Sequence, residues 1–240
     1  MTIEQWNLLS NLIHCYDEYC GHLFVKRYIE EQNTLPAKFR HRNSSVKHLM
    51  TSIVHNIQHV FEKNRDFLSL SSISRTNLLR TTTQYNLSFG GVFMTGQHRL
   101  LDNELLCNSM ELIFVPSSVA STKWIITQLD PDETFVKLVL AIVACSTTHS
   151  IVHVESRASN LIDTKTILSV ENIYVELVWR YLLYRYNHRE AVKRFSNIVR
   201  CLILLNNIVI DANQSRQFVE LFDAVIEQIE HKLDLSDHTS

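Results

Sequence analysis

Four glycines and three prolines are all the punctuation this 240-residue chain contains. In an average chain the two together make up roughly 12% of residues. A sheet protein needs turn residues every ~8–12 positions, because hairpin turns require a positive or pre-set φ. This chain has too few to place them, so the fold class it predicts is all-α. Residues 1–232 are long enough to form one domain with a substantial core, followed by a short polar tail, 233–240.

Charge narrows the function. Hydrophobic residues make up 45% of the chain and charged residues 20%, and the net charge is −2 with acids and bases interleaved. No stripe of Lys and Arg marks a nucleic-acid surface, so direct DNA or RNA binding is not expected. Cys15, Cys20, Cys107, Cys145 and Cys201 are scattered and form no CxxC pair. Their odd number, with no apolar leader, predicts free thiols in a reducing compartment, nucleus or cytoplasm. The longest apolar run, Phe135–Cys145, carries Lys137 and falls short of the ~20 residues that span a bilayer. No membrane partner is expected.

Along the chain, Thr2 and Gln5 have the spacing of a capping box, and an amphipathic helix is predicted from Ile3 to about Ile29. Residues 31–45, containing Pro36, read as a loop. Val46, Leu49, Met50, Ile53, Val54, Ile57, Val60 and Phe61 then fall on one helical stripe, with Ser44 or Ser45 as cap. Ser72 is the expected cap of a helix running to about Phe93. Residues 108–119, apolar and then broken at Pro116, are the only stretch with strand character, at most a short β-hairpin. In "DPDE" (130–133), Asp130 reads as cap and Pro131 as first helical residue, opening a helix to about Cys145. Residues 146–169 read as a long, partly helical connection. A further helix is predicted from Ser169 to Tyr186, and Asn187 with Glu190 opens the last helical region.

Residues 198–210, "IVRCLILLNNIVI", are interrupted only by Arg200, Asn206 and Asn207. A helix apolar on nearly every side is covered on nearly every side. Either it lies wholly inside the domain, or one face meets a second subunit.

Candidate chemistry is sparse. His48, His55 and His59 share a helical face, but no Glu supplies the HExxH pattern, so the reading is a solvated polar face. "HCYDEYCGH" (14–22) gathers two Cys and two His, yet spreads them around one helix; packing cysteines are expected. No GxSxG, GxxxxGKS or GxGxxG occurs. Catalytic residues, metal and cofactor are therefore not predicted, and the chain does not read as an enzyme. "FVELF" (218–222) has the spacing of a helical docking peptide but reads first as the buried stripe of a terminal helix.

One stretch remains, "FEKNRDFLSLSSISRTNLLR" (61–80), which joins two helical segments tightly without Gly or Pro. Here the chain resembles the ligand-binding domain of nuclear receptors. In that family an aromatic-x-Lys helix end is followed by a tight turn, Phe-x-x-Leu, Asp-Gln and Leu-Leu-Lys/Arg. Phe61-Glu62-Lys63, Phe67 with Leu70, Ser74-Arg75 and Leu78-Leu79-Arg80 stand in those places. Residues 2–18, 129–145, 170–186 and 194–205 resemble the family's first, seventh-to-eighth, ninth and tenth helices in order.

The resemblance implies a three-layer antiparallel sandwich of about 9–11 helices around an apolar cavity, in a regulator of transcription. It implies a small lipophilic ligand in a pocket around Met50, Thr51, Val54, Ser88, Gly91 and Val92. Helical coregulator peptides would dock in a groove with Lys63 and Arg80 at its ends and Thr76 and Leu79 on its floor. Homo- or heterodimerisation with a nuclear receptor would use the tenth helix through Ile198, Cys201, Leu202 and Leu205.

Four departures qualify these expectations. Ser74-Arg75 replaces Asp-Gln, and the turn is one residue shorter. Tyr85 stands where the family frequently has Glu, and Met94 where it frequently has a ligand-holding Arg. "HKLDLSDHTS" (231–240) lacks the Glu-containing activation helix, which favours corepressor-like over coactivator peptides. Five scattered cysteines cannot supply the eight of the family's zinc-binding DNA module. The alternative is a ligand-free dimerisation module that modulates a partner receptor.

Overall fold

The computed structural model describes residues 1–62, 64–146 and 164–237. Every regular element among them is helical. The helices are α1 (Ile3–Tyr19), α2 (His22–Thr34), α3 (Asn43–Glu62), α4 (Arg65–Leu68), α5 (Ser72–Gln97) and α6 (Glu104–Ile113). They continue with α7 (Pro116–Gln128), α8 (Glu133–Cys145), α9 (Thr164–Arg185), α10 (His188–Ala212) and α11 (Arg216–Asp237). Two single 3-10 turns, Ala37–Phe39 and Leu100–Asp102, complete the set.

The chain is thus all-α, and several local expectations are corrected. The strand-like stretch 108–119 holds the end of α6 and the start of α7. Pro116 sits in the first turn of α7, where its missing N–H costs no hydrogen bond. The predicted first helix is broken after Tyr19 because Gly21 adopts φ +89°, a left-handed conformation that redirects the chain into α2. Ser44 and Ser45 lie inside α3, which starts at Asn43. Ser71, not Ser72, caps α5, accepting from the Ser74 amide at 3.2 Å. Asp132 rather than Asp130 caps α8, accepting from Phe135 N. Ser169 is interior to α9, and α11 continues to Asp237, through residues 233–237 of the expected polar tail.

Two caps stand as their spacing predicts. Thr2 and Gln5 make both halves of a capping box, and the Asn187 side chain accepts from Glu190 N at 2.9 Å. Each such cap contributes roughly 1 kcal/mol by satisfying amides the helix leaves open.

At the centre runs α5, in contact with α3, α7, α8, α10 and α11. Thr82, Tyr85, Asn86, Leu87, Phe89 and Val92–Thr95 are buried on successive sides of its later turns. Beside it lies α8, packed on α5, α9 and α1, with ten of its residues buried. The helix that the sequence marks as apolar all round, α10, is only half enclosed. It packs on α7, α5 and α9 through Ile198, Cys201, Leu205, Ile208 and Val209, while Val199, Ile203 and Ile210 are exposed. By length and composition α10 is also long and apolar enough to cross a membrane, the one such helix among the described residues.

The tight handover after α3 has a physical cause. Asn64 Oδ1 accepts from the Asp66 and Phe67 amides, which starts the one-turn α4. Its Nδ2 donates to Tyr174 Oη at 2.7 Å, and that hydroxyl donates to Asp66 at 2.8 Å, tying the turn to α9. Phe67 and Leu70 are both 3% exposed, so the connection is held from inside by two core side chains.

Candidate functional site: an apolar cavity between six helices

Lining residues come from every quarter of the chain. Met50, Ile53 and Val54 of α3 face Leu87, Ser88, Gly91, Val92 and Thr95 of α5. Met110 of α6, Phe114, and Ser118, Val119 and Thr122 of α7 close one side. Leu205, Ile208, Val209 and Ala212 of α10, with Phe218, Leu221 and Phe222 of α11, close the other. The cavity between them has a volume of about 80 Å³ and opens toward solvent.

Its chemistry is uniform. None of the lining residues is Asp, Glu, Lys, Arg or His. The polar residues among them are Ser88, Thr95, Ser118 and Thr122. Ser88 Oγ is committed to its own helix, donating to Gln84 O at 2.7 Å. Ser118 is 2% exposed, and its hydroxyl has no hydrogen-bond partner among the described residues. A Cβ added to Gly91 would meet nothing within 4 Å, so the helix backbone there borders open space.

Of the six residues expected around a pocket, the structure brings Met50, Val54, Ser88, Gly91 and Val92 to this cavity. Thr51 is not among the lining; its hydroxyl donates to Lys47 O at 2.9 Å, one turn back in α3. Met94 and Tyr85 do not line it either. Met94 is 1% exposed in the core, and Tyr85 donates its hydroxyl to the Leu202 carbonyl of α10. The walls from α6, α7, α10 and α11 were not read from the sequence. Their one available signal was the apolar spacing of Phe218, Leu221 and Phe222, which is the inner stripe of α11.

The other expected sites fare differently. Lys63 lies outside the described residues, as do the side chains of Thr76, Leu79 and Arg80. On α10, Ile198 (2% exposed), Cys201 (0%) and Leu205 (0%) are buried against the domain's own helices. A second subunit cannot reach them, and only Leu202 of the four is partly accessible. Helical spacing instead puts Val192, Val199, Ile203 and Ile210 on the outward stripe, at intervals of seven, four and seven residues.

The polar clusters elsewhere hold helices together. Asp132 accepts from Tyr181 at 2.9 Å and Tyr186 at 2.8 Å as well as capping α8. Burial and this carboxylate push the Tyr181 phenol up to about 12. Asp130 receives the Arg194 guanidinium at 2.6 Å, and that guanidinium lies 4.0 Å over the Tyr186 ring. His41, at φ +49°, is buried with ring contacts to Tyr28 (3.1 Å) and Asn103 (3.1 Å). His22 Nδ1 and His98 Nε2 meet at 2.9 Å.

The face of α3 read as solvated is partly covered. His48 is exposed and His55 half-buried, and Phe24 of α2 stands edge-on to His48 at 5.8 Å. The His59 side chain lies outside the described residues. Desolvation pushes the Cys20 thiol up to about 11 and the Cys145 thiol up to about 12. Such thiols stay protonated, which is unfavourable for metal ligation or nucleophilic attack. Among the described residues no group of three or more His, Cys, Asp and Glu could hold a metal ion.

No protein-family model matches this chain, and no curated protein matches it.

Proposed function

We propose that the chain is a nuclear-receptor-like ligand-binding domain that regulates transcription in response to a small lipophilic molecule. The observation that carries this reading is the apolar cavity beside α5. A central helix surrounded by others, bordering a cavity lined by apolar side chains from six helices, is an arrangement that can receive an apolar guest. It is also consistent with a helical sandwich in three layers, α5 lying in the middle one. Helical coregulator peptides would be the output partners, corepressor-like ones ahead of coactivators. Localisation would be nuclear, cytoplasmic or both, with no direct contact to nucleic acid or membrane.

A second reading is favoured by a specific feature. The outward stripe of α10 leaves Ile203 62% exposed, with Val192, Val199 and Ile210 in line with it. A domain paired through that stripe, with its cavity unoccupied, would act as a ligand-free dimerisation module on a partner receptor.

One experiment separates them. The chain is fused to a heterologous DNA-binding domain and assayed on a reporter, with Gly91→Phe to fill the cavity and Ile203→Glu to charge the stripe. A ligand-regulated domain changes reporter output with Gly91→Phe. A pure pairing module responds to Ile203→Glu and is indifferent to Gly91→Phe.

A further inference from the structure

The chemistry of the cavity wall defines its guest more narrowly than "lipophilic". A carboxylate or ammonium drawn into this space would give up its hydration and find no counter-charge, since no ionisable side chain lines it. A guest with no polar atom would bury well but leave the Ser118 hydroxyl as it is, buried and without a partner among the described residues. Ser88 is different, because its proton is already spent on Gln84 O, so it can only accept. Ser118 can donate and accept. It lies in the first turn of α7, a rigid element that begins at Pro116.

We propose that the cavity takes an uncharged lipophile carrying one hydroxyl or carbonyl group, and that this group is held by Ser118. The inference rests on the reading of the cavity as a ligand site, and adds to it the charge state and the anchoring residue. The preference is chemical: the aliphatic body supplies affinity through burial, and the single polar atom fixes which end lies against α7.

Three ten-carbon probes that differ only at one end test this on the purified chain. These are 1-decanol, decanoate and 1-chlorodecane, competed against the neutral solvatochromic dye Nile red at pH 8. The expected result is that 1-decanol binds at least about tenfold tighter than decanoate. Ser118→Ala weakens 1-decanol by about three- to tenfold, the size of one hydrogen bond, and leaves 1-chlorodecane unchanged. Thermal melts establish that the variant is folded, and the unchanged 1-chlorodecane affinity shows that its cavity is intact. Gly91→Phe, placed where the backbone borders open space, abolishes binding of both neutral probes.

Decanoate binding as tightly as 1-decanol overturns the inference while the cavity stands as a ligand site. So does an Ser118→Ala effect that is absent, or equal for 1-decanol and 1-chlorodecane. If no probe binds the unmodified chain, or if Gly91→Phe changes nothing, the ligand-site reading itself falls.

Discussion

Lys137, one turn into α8 and 5% exposed, places its ammonium 2.6 Å from the carboxylate of Asp17 on α1. The Asp17 side chain remains 55% exposed, so the pair straddles the boundary between core and solvent. The two partners are consequently unequal. Asp17→Ala strands a buried ammonium, and the expected loss is about 2–3 kcal/mol, below the ~3–5 of a fully buried pair because Asp17 is half in water. Lys137→Met removes the charge along with the need for a partner, and is expected within about 1 kcal/mol of the parent. Urea unfolding midpoints of the two variants check the asymmetry.

Asp132 unites a helix cap with two tyrosine contacts, which makes it the meeting point of α8, α9 and the start of α10. Asp132→Ala removes all three roles, and the expected cost is about 2–3 kcal/mol. Asp132→Asn keeps an acceptor for the Phe135 amide and should cost less than half as much. Ultraviolet titration offers a second readout: without the carboxylate, the Tyr181 phenol ionises below its value of about 12.

Two glycines make opposite predictions. Gly21 sits at φ +89°, and a Cβ there would come within 2.7 Å of Asn56 Nδ2. Gly21→Ala should therefore cost about 1–2 kcal/mol from the left-handed backbone alone, with the crowding added. Gly91 is helical with open space at its Cβ, so Gly91→Ala should stabilise by about 0.5–1 kcal/mol. Thermal melts of the two variants, shifted in opposite directions, would bear this out.

Acid should destabilise the fold through three histidines. Desolvation lowers the pKa of His22, His41 and His98 below the ordinary 6.5, helped at His22 by Lys137 and Lys26 and at His41 by Arg40. The unfolded chain then binds protons that the folded one refuses. Stability is complete above about pH 6.5 and is lost as pH falls below it toward the folded values. His41→Gln or His98→Gln should flatten that dependence. A parent whose unfolding midpoint is unchanged from pH 7 to pH 5 would contradict the assignment.

The all-α class was legible in the missing glycines and prolines, because that argument concerns the whole chain and no single register. Caps built on side-chain spacing at Thr2 and Asn187 were legible for the same local reason. Asp130 and Asp132 were confused because both have the chemistry of a cap, and the choice falls to Arg194, a residue 64 positions away that claims Asp130. The burial of α10 could not be read from periodicity. Inner residues such as Cys201 and Leu205 and outer ones such as Ile203 are equally apolar, and only the packing of α7 and α5 tells them apart. Half the cavity wall was hidden similarly, since Met110, Phe114 and Phe218 look like ordinary core positions until six helices converge on one space. Gly91 carries a local sign, a helix-breaking type in the middle of a long helix, as does the apolar spacing of Phe218, Leu221 and Phe222.

The function proposed for this chain depends on a molecule occupying the space beside α5. Native mass spectrometry of the gently purified chain, before and after extraction with organic solvent, tests it most directly. A stoichiometric extra mass is expected on the parent, one that extracts as an uncharged lipophile and is absent from Gly91→Phe. Parent and variant both at bare protein mass, with the parent equally bare after exposure to 1-decanol, would contradict it.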